Sequence, residues 1–206
     1  SYGDQRNDTD VKYMDNFRAI SSKVNKFSNL SAYVNLLPLH EKMNGDTTRT
    51  YEIVYQEYLN KYCREYNPKY LSYDHYPFEW NRNVITGANL TEDNEITDPL
   101  RYFKNLAIVR NIANENDIPF WTMVGAGDYW GYTAKSTRND SPTAGQFKWQ
   151  VNVELAFGAK GIQYFPLIQP PGWELTDGGT ADYKRNGLIG ANGETNDWYD
   201  YAKDMN

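Results

Sequence analysis

The chain has 206 residues, a net charge of -6 and a pI near 5.0. This length suits one domain with a sizeable core, and the negative charge argues against nucleic acid or an anionic membrane surface as a partner. No apolar run approaches the length of a membrane span. The two histidines and the single cysteine, Cys63, give neither a paired metal-ligand spacing nor an intramolecular disulfide. We therefore expect no metal and no other cofactor, and a buried Cys63.

Helix and strand patterns alternate along the chain. Apolar residues at helical spacing predict helices over 10–27, over 50–66, from near 98 to near 116, over 141–158 and from near 195 to the end. The fourth of these is expected to begin at Ser141 and Pro142 and to end at Gly158. Short apolar strands are predicted between them, near 32–37, 70–76, 119–125 and 161–166. Strict alternation predicts an α/β fold with parallel strands.

Long stretches follow the predicted strands, at 79–97, 125–140 and 166–194, whereas the connections that enter strands are short. This asymmetry is the layout of a β/α barrel enzyme. An open doubly wound sheet is the alternative, but no glycine-rich phosphate loop follows any strand. Four β/α units amount to half of an eight-stranded barrel. Residues 1–206 are therefore predicted to be one partial domain, about strands five to eight, that requires a missing N-terminal half as its partner.

Polar and aromatic residues collect where three of these strands are expected to end. The set consists of Asp74, His75, Tyr76, Trp121, Gln163 and Tyr164, with Trp130 and Trp173 in the loops beyond. The chain is rich in aromatic residues, with 18 Tyr, 6 Trp and 8 Phe. Tyrosine and tryptophan combine an apolar face with a hydrogen-bonding edge, which suits carbohydrate and equally suits an ordinary interface. We expect the pocket to bind an oligosaccharide or polysaccharide.

Five segments in order carry a resemblance to a known group of enzymes. They are residues 33–38, 71–77, 119–121, 155–165 and 187–195 followed by Tyr199. Together they resemble the bacterial β/α-barrel glycoside hydrolases of the broad clan that contains the β-galactosidases, over roughly residues 9–206. The resemblance implies hydrolysis of glycosidic bonds at the carboxyl ends of the barrel strands. In such enzymes an acid/base carboxylate in an Asp-Glu-Pro setting lies upstream of the segment at 35–38, and this chain has no such motif there.

Glycoside hydrolysis needs two carboxyl groups that face each other across the sugar. Asp74 is the one acid within a strand end, so it is the best catalytic candidate, although such an acid can also cap a loop or bind sugar hydroxyls. Glu79 and Glu174 are weaker candidates, since both suit solvated loops. In a regular strand His75 points to the opposite face from Asp74, which favours a structural role for His75. Trp121 suits either sugar stacking or the core.

The sequence therefore predicts a fragment of a glycoside hydrolase that is inactive alone. The alternatives are a non-catalytic carbohydrate-binding barrel descended from a glycosidase, and an α/β interaction domain that does not bind sugar. The chain begins with Ser1 instead of Met, which fits a processed product. A secreted, cell-surface or periplasmic location is expected.

Overall fold

A computed structural model describes residues 18–24, 26–27, 30–38, 50–77, 82–83, 88–89, 101–126, 143–169, 187–190 and 192–205. Over these ranges the protein has a mixed α/β fold built on a three-stranded parallel sheet. Residues 18–24 are helical (α1). The elements that follow are α2 (Tyr51–Tyr66), β1 (Leu71–Asp74), β2 (Arg82–Asn83), β3 (Ala88–Asn89), α3 (Arg101–Glu115), β4 (Phe120–Gly125), α4 (Ala144–Ala156), β5 (Gly161–Phe165) and α5 (Asp197–Met205).

The parallel sheet follows the order of the chain, β1-β4-β5. Its register pairs Ser72 with Trp121, Trp121 with Gly161, Asp74 with Met123, and Met123 with Gln163. The segment predicted as a strand at 32–37 contributes a single parallel bridge, between Leu36 and Tyr73. In that bridge the Leu36 N–H donates to the Ser72 carbonyl at 2.8 Å. Each described parallel segment thus pairs with the parallel segment that precedes it along the chain, as the alternation of elements predicts.

The stretch 79–97, expected to be a long loop, contains a short antiparallel pair. Strands β2 and β3 form it, with Arg82 opposite Asn89 and Asn83 opposite Ala88. The pattern of apolar residues gives no sign of this pair, because two-residue strands are too short to show a period of two. The pair forms a sheet of its own and adds nothing to the parallel sheet.

The helix ends show which local signals fixed the boundaries. Helix α2 ends where predicted, with Asn67 in the left-handed conformation (φ 43°) and its N–H bonded to the Cys63 carbonyl. The predicted start of α4 at Ser141 and Pro142 is wrong, because Thr143 is the N-cap. Thr143 and Gln146 form a capping box, in which the Thr143 side chain accepts from the Gln146 N–H and the Gln146 side chain accepts from the Thr143 N–H. Ser141 and Pro142 lie outside the described residues.

Two further helix boundaries differ from the prediction. The last helix, expected near Thr195, begins at Asp197, because Thr195 pairs with Ile189 in an antiparallel bridge. The Asn196 side-chain oxygen then accepts the Trp198 N–H at 3.0 Å and caps the helix. The first helix was expected to reach residue 27, but residues 26–27 form a turn and a bend. Residues 10–17 of that prediction lie outside the described part of the chain.

Helices α2, α3 and α4 pack on one face of the sheet, and tyrosines dominate the layer between them. Tyr55 of α2, Tyr73 of β1 and Tyr102 of α3 are fully buried. Burial raises the pKa of all three phenols well above the ordinary value of 10.0. Cys63 lies in the same core, which confirms its expected burial. A second cluster joins Phe147 of α4 to the sheet and to α5.

Candidate functional site

The sheet has a helix-covered face and an opposite face that carries the candidate site. Because side chains alternate along a strand, Tyr73, Thr122 and Tyr164 point toward the helices. The opposite face, called the polar face below, carries Ser72 and Asp74 of β1, Trp121 and Met123 of β4, and Gln163 and Phe165 of β5. The residues that sequence analysis selected are thus divided between the two faces.

Asp74 lies at the carboxyl end of β1 on the polar face. Burial raises the pKa of its carboxyl above the ordinary value, while hydrogen bonds from Asn35, from its own backbone N–H and from Tyr76 oppose that rise. One of its oxygens, Oδ1, is buried and has no hydrogen-bond partner among the described residues. A buried carboxylate oxygen without a donor is costly to the fold. The donor must come from outside the described residues, as water, a ligand or another part of the polypeptide.

Tyr76 and His75 diverge from one another at this strand end. The Tyr76 ring stacks on Phe165 at 6.4 Å between centroids, and its hydroxyl lies 4.0 Å from the Met123 sulfur. Tyr76 therefore belongs to the polar face, beside Asp74. The His75 ring instead contacts Tyr102 edge-on at 5.2 Å, in the layer beneath the helices. His75 thus points away from Asp74, as expected for a structural histidine.

Gln163 and Tyr164 also separate. Gln163 is in register with Met123 and, through it, with Asp74, so the three residues form one row across the polar face. At about 4.8 Å between neighbouring strands, the Asp74 and Gln163 backbones are roughly 10 Å apart. Tyr164 stacks on Phe147 of α4 at 5.6 Å and 11°. The structure therefore places Gln163 on the same face as Asp74, with Met123 between them, and places Tyr164 in the helix-side core.

Trp121 is not at a carboxyl end, which corrects the sequence prediction. It is the second residue of β4 and pairs with Ser72, two residues before Asp74 in the register. Its ring stacks on Tyr70 at 4.6 Å and 10°, and it covers Gly161, where an added Cβ would lie 2.7 Å from the indole. The strand ends at Gly125, within its predicted range of 119–125, so that range already put Trp121 near the amino-terminal end. Trp121 thus closes the amino-terminal end of the polar face.

The remaining candidates fall in stretches that lie outside the described residues. These are Trp130 and Trp173, expected as loop platforms for a sugar, and the weaker acids Glu79 and Glu174. All four stay predictions. They follow the carboxyl ends of β1, β4 and β5 along the chain, which is the reason they were selected.

Three residues of the polar face were missed from the sequence. Tyr33 and Asn35 alternate with the core residues Val34 and Leu36, and Ser72 precedes Asp74 by two positions. The Tyr33 hydroxyl donates to Gln163 Oε1 at 2.8 Å and lies 3.1 Å from the Ser72 hydroxyl. Alternation within 32–37 was the signal that could have identified them, because it assigns residues 33 and 35 to one face.

A second buried carboxyl group, Glu154, lies on the opposite side of the sheet. It is 1% exposed, and it accepts hydrogen bonds from Thr122 of β4 and from Tyr102 of α3. Burial raises its pKa to about 7, against the effect of those two hydrogen bonds. Helical spacing places Glu154 on the same buried face of α4 as Phe147 and Val151, so an acid at that position was a signal in the sequence. Its neighbours are core residues, so Glu154 does not share a pocket with Asp74.

Within the described ranges, no group of three or more His, Cys, Asp or Glu side chains could hold a metal ion. No helix in that part of the chain combines the length and the apolar character needed to cross a membrane. Comparison of the sequence and the structure with protein-family models, curated proteins and solved structures gives no match.

Proposed function

We propose that the protein hydrolyses glycosidic bonds and that the polar face of the sheet is part of its sugar site. The chain would supply about the second half of a β/α barrel, with the other strands coming from polypeptide outside residues 1–206. Asp74 would be one carboxyl group of the site. The observation that carries the proposal is the unsatisfied Asp74 oxygen, which lies on a face lined by amide, hydroxyl and aromatic groups.

The arrangement of the helices favours a barrel over a doubly wound sheet. The described helices that pack directly on the sheet, α2, α3 and α4, cover one face. The strand order follows the chain without reversal. A doubly wound sheet has helices on both faces and reverses its strand order at the ligand crevice. A barrel has sequential strands with the helices outside, so that the other face of the sheet lines the interior.

Sugar is the ligand class that suits the chemistry of this face. A sugar ring has hydroxyls at its edges and C–H groups on its faces, so it requires polar partners around an apolar floor. Asp74 and Gln163 flank Met123 in one row, and Phe165 stacks on Tyr76 beside them. No lysine, arginine or histidine hydrogen bonds to Asp74 among the described residues, so the site has no evident cation for an anionic ligand.

A non-catalytic carbohydrate-binding barrel is the second candidate. Asp74 is the one carboxylate that the described strands place on the polar face. Hydrolysis needs two carboxyl groups roughly 5 to 10 Å apart. The distinction between enzyme and binding protein therefore depends on whether another part of the polypeptide supplies a second carboxylate opposite Asp74.

The test compares Asp74→Asn with a matched variant, Asp117→Asn, in the full-length protein. Asp117 is exposed, and Asn tolerates its left-handed conformation (φ 53°). Hydrolysis is measured on aryl glycosides of glucose, galactose, xylose and mannose, and binding by calorimetry on the corresponding disaccharides. We expect Asp74→Asn to lose hydrolysis by at least a hundredfold, and Asp117→Asn to retain it.

Three outcomes discriminate between the possibilities. Loss of turnover with retained sugar binding in Asp74→Asn supports the glycosidase. Sugar binding without turnover in the wild type favours the binding protein. A wild-type protein that binds and hydrolyses none of these sugars contradicts both candidates.

A further inference from the structure

Close polar contacts connect four side chains across the polar face, from the Leu36 segment to β5. Asn35 Oδ1 accepts from the Ser72 hydroxyl at 3.4 Å. The Tyr33 hydroxyl donates to Gln163 Oε1 at 2.8 Å and lies 3.1 Å from the Ser72 hydroxyl. Each hydroxyl has one proton and donates it to an amide oxygen, so the two hydroxyls are in contact without sharing a hydrogen bond. Tyr33 is 43% exposed and Ser72 is buried, so this row of contacts runs from the sheet surface inward.

The order of donors and acceptors fixes the direction of both amide groups. Because Asn35 Oδ1 faces Ser72, its Nδ2 is the atom that can donate to Asp74, which agrees with the lowering effect of Asn35 on the pKa of that carboxyl. Because Gln163 Oε1 receives the Tyr33 proton, its two Nε2 hydrogens face away from Tyr33. One end of the row thus offers an acceptor, and the other end offers donors.

We propose that Tyr33 and Asn35 are positioning residues that hold Gln163 as a donor and Asp74 as an acceptor for two hydroxyl groups of one sugar ring. The ligand class rests on the proposed function. A hydroxyl at one edge of the ring donates to the Asp74 carboxylate, one oxygen of which lacks a partner among the described residues. A hydroxyl at the other edge accepts from Gln163 Nε2. Met123, between them in the register, lies beneath the ring.

The inference has a test that needs no ligand. The carboxyl resonance of Asp74 is followed by NMR through a pH titration in the wild type and in Asn35→Ala. Loss of the Asn35 hydrogen bond, which favours the carboxylate, should raise the pKa of Asp74 further above its ordinary value. Relaxation of the Gln163 side-chain amide is measured in the wild type and in Tyr33→Phe, where the amide should become mobile.

A matched control and a ligand measurement complete the experiment. Tyr199→Phe removes the hydroxyl of another exposed tyrosine, on α5, and should leave the Gln163 amide unchanged. In calorimetric titrations with the sugar that binds the wild type, Tyr33→Phe should weaken affinity roughly fivefold, the worth of one hydrogen bond. In a Gln163→Ala background the same change should have no effect, because Tyr33 acts through Gln163.

The possible results separate the two proposals. An unchanged Asp74 titration in Asn35→Ala, or an equally ordered Gln163 amide in Tyr33→Phe, overturns the positioning roles. Additive losses in the double variant overturn the claim that Tyr33 acts through Gln163. Both NMR effects without binding of any sugar support the positioning roles and contradict the proposed function.

Discussion

Replacing Glu154 with glutamine should stabilise the protein at alkaline pH and leave it nearly unchanged at acid pH. Glu154 is 1% exposed, and burial raises its pKa from 4.5 to about 7. Glutamine has the same shape, can accept from Tyr102 or Thr122, and can donate to the other hydroxyl. It therefore keeps the hydrogen bonds while it removes the charge that the interior penalises.

The sign follows from proton binding. Between pH 4.5 and about 7 the folded state keeps the Glu154 proton while the unfolded state loses it. Stability therefore decreases as the pH rises through this window, and the loss is complete above it. A shift of about 2.5 units at about 1.4 kcal/mol per unit corresponds to about 3 kcal/mol. Glu154→Gln should remove this term, so its advantage over the wild type should increase by about that amount from pH 4.5 to pH 8.

The assay is urea unfolding, followed by circular dichroism at half-unit intervals from pH 4.5 to 8. Glu115→Gln is the matched control, because it removes an exposed carboxylate at the end of α3. The control curve should run parallel to that of the wild type. The reasoning is refuted if the difference in unfolding free energy between Glu154→Gln and the wild type stays constant, or falls, from pH 5 to pH 8. The buried charge would then not have the cost assigned to it.

Three other predictions concern the polar face. Gly161→Ala should destabilise the protein by about 1–3 kcal/mol in the urea assay, because the added Cβ would lie 2.7 Å from the Trp121 ring. The control is Gly145→Ala in helix α4, where the added Cβ meets nothing closer than 3.8 Å. That variant should be neutral or stabilising. Asp74→Asn should unfold at a urea concentration no lower than that of the wild type at pH 7, because burial raises the pKa of Asp74; a large loss of stability would give Asp74 a structural role. Residues 1–206 alone should hydrolyse no aryl glycoside, since they place one carboxylate on this face in the part described, and turnover by that chain would refute the half-barrel proposal.

The helices and the parallel sheet could be predicted because apolar spacing and the order of the elements are visible in the sequence. Apolar spacing gave α2, and alternation of helix and strand gave the parallel pairing of β1, β4 and β5. Errors arose where side chains compete for a boundary. The capping box moved the start of α4 to Thr143, and a bridge to Ile189 kept Thr195 out of α5. Caps of this kind decide helix ends within a few residues.

The candidate site was harder to predict because it depends on register. Asp74 and Gln163 meet in one row only because Met123 pairs with both. Alternation along a strand predicts which face of the sheet each residue occupies. It does not predict the register, that is, which residues of neighbouring strands are paired. The error for Trp121 is different, because the predicted strand at 119–125 already placed it near the amino-terminal end. Tyr33 and Asn35 were missed although their segment was predicted as a strand, because candidates were sought at the strand ends and not along the polar side of this segment.

The layer of buried tyrosines under the helices should make alkaline unfolding visible in the ultraviolet absorbance of the protein. Tyr55, Tyr73 and Tyr102 keep their protons in the folded state above pH 10, where the unfolded chain ionises. Stability must therefore decrease as the pH rises past about 10, because the unfolded state releases protons that the folded state retains. Phenolate absorbs near 295 nm, so exposed tyrosines should titrate first and gradually. The buried ones should then appear together, in a single cooperative step that coincides with the loss of helix.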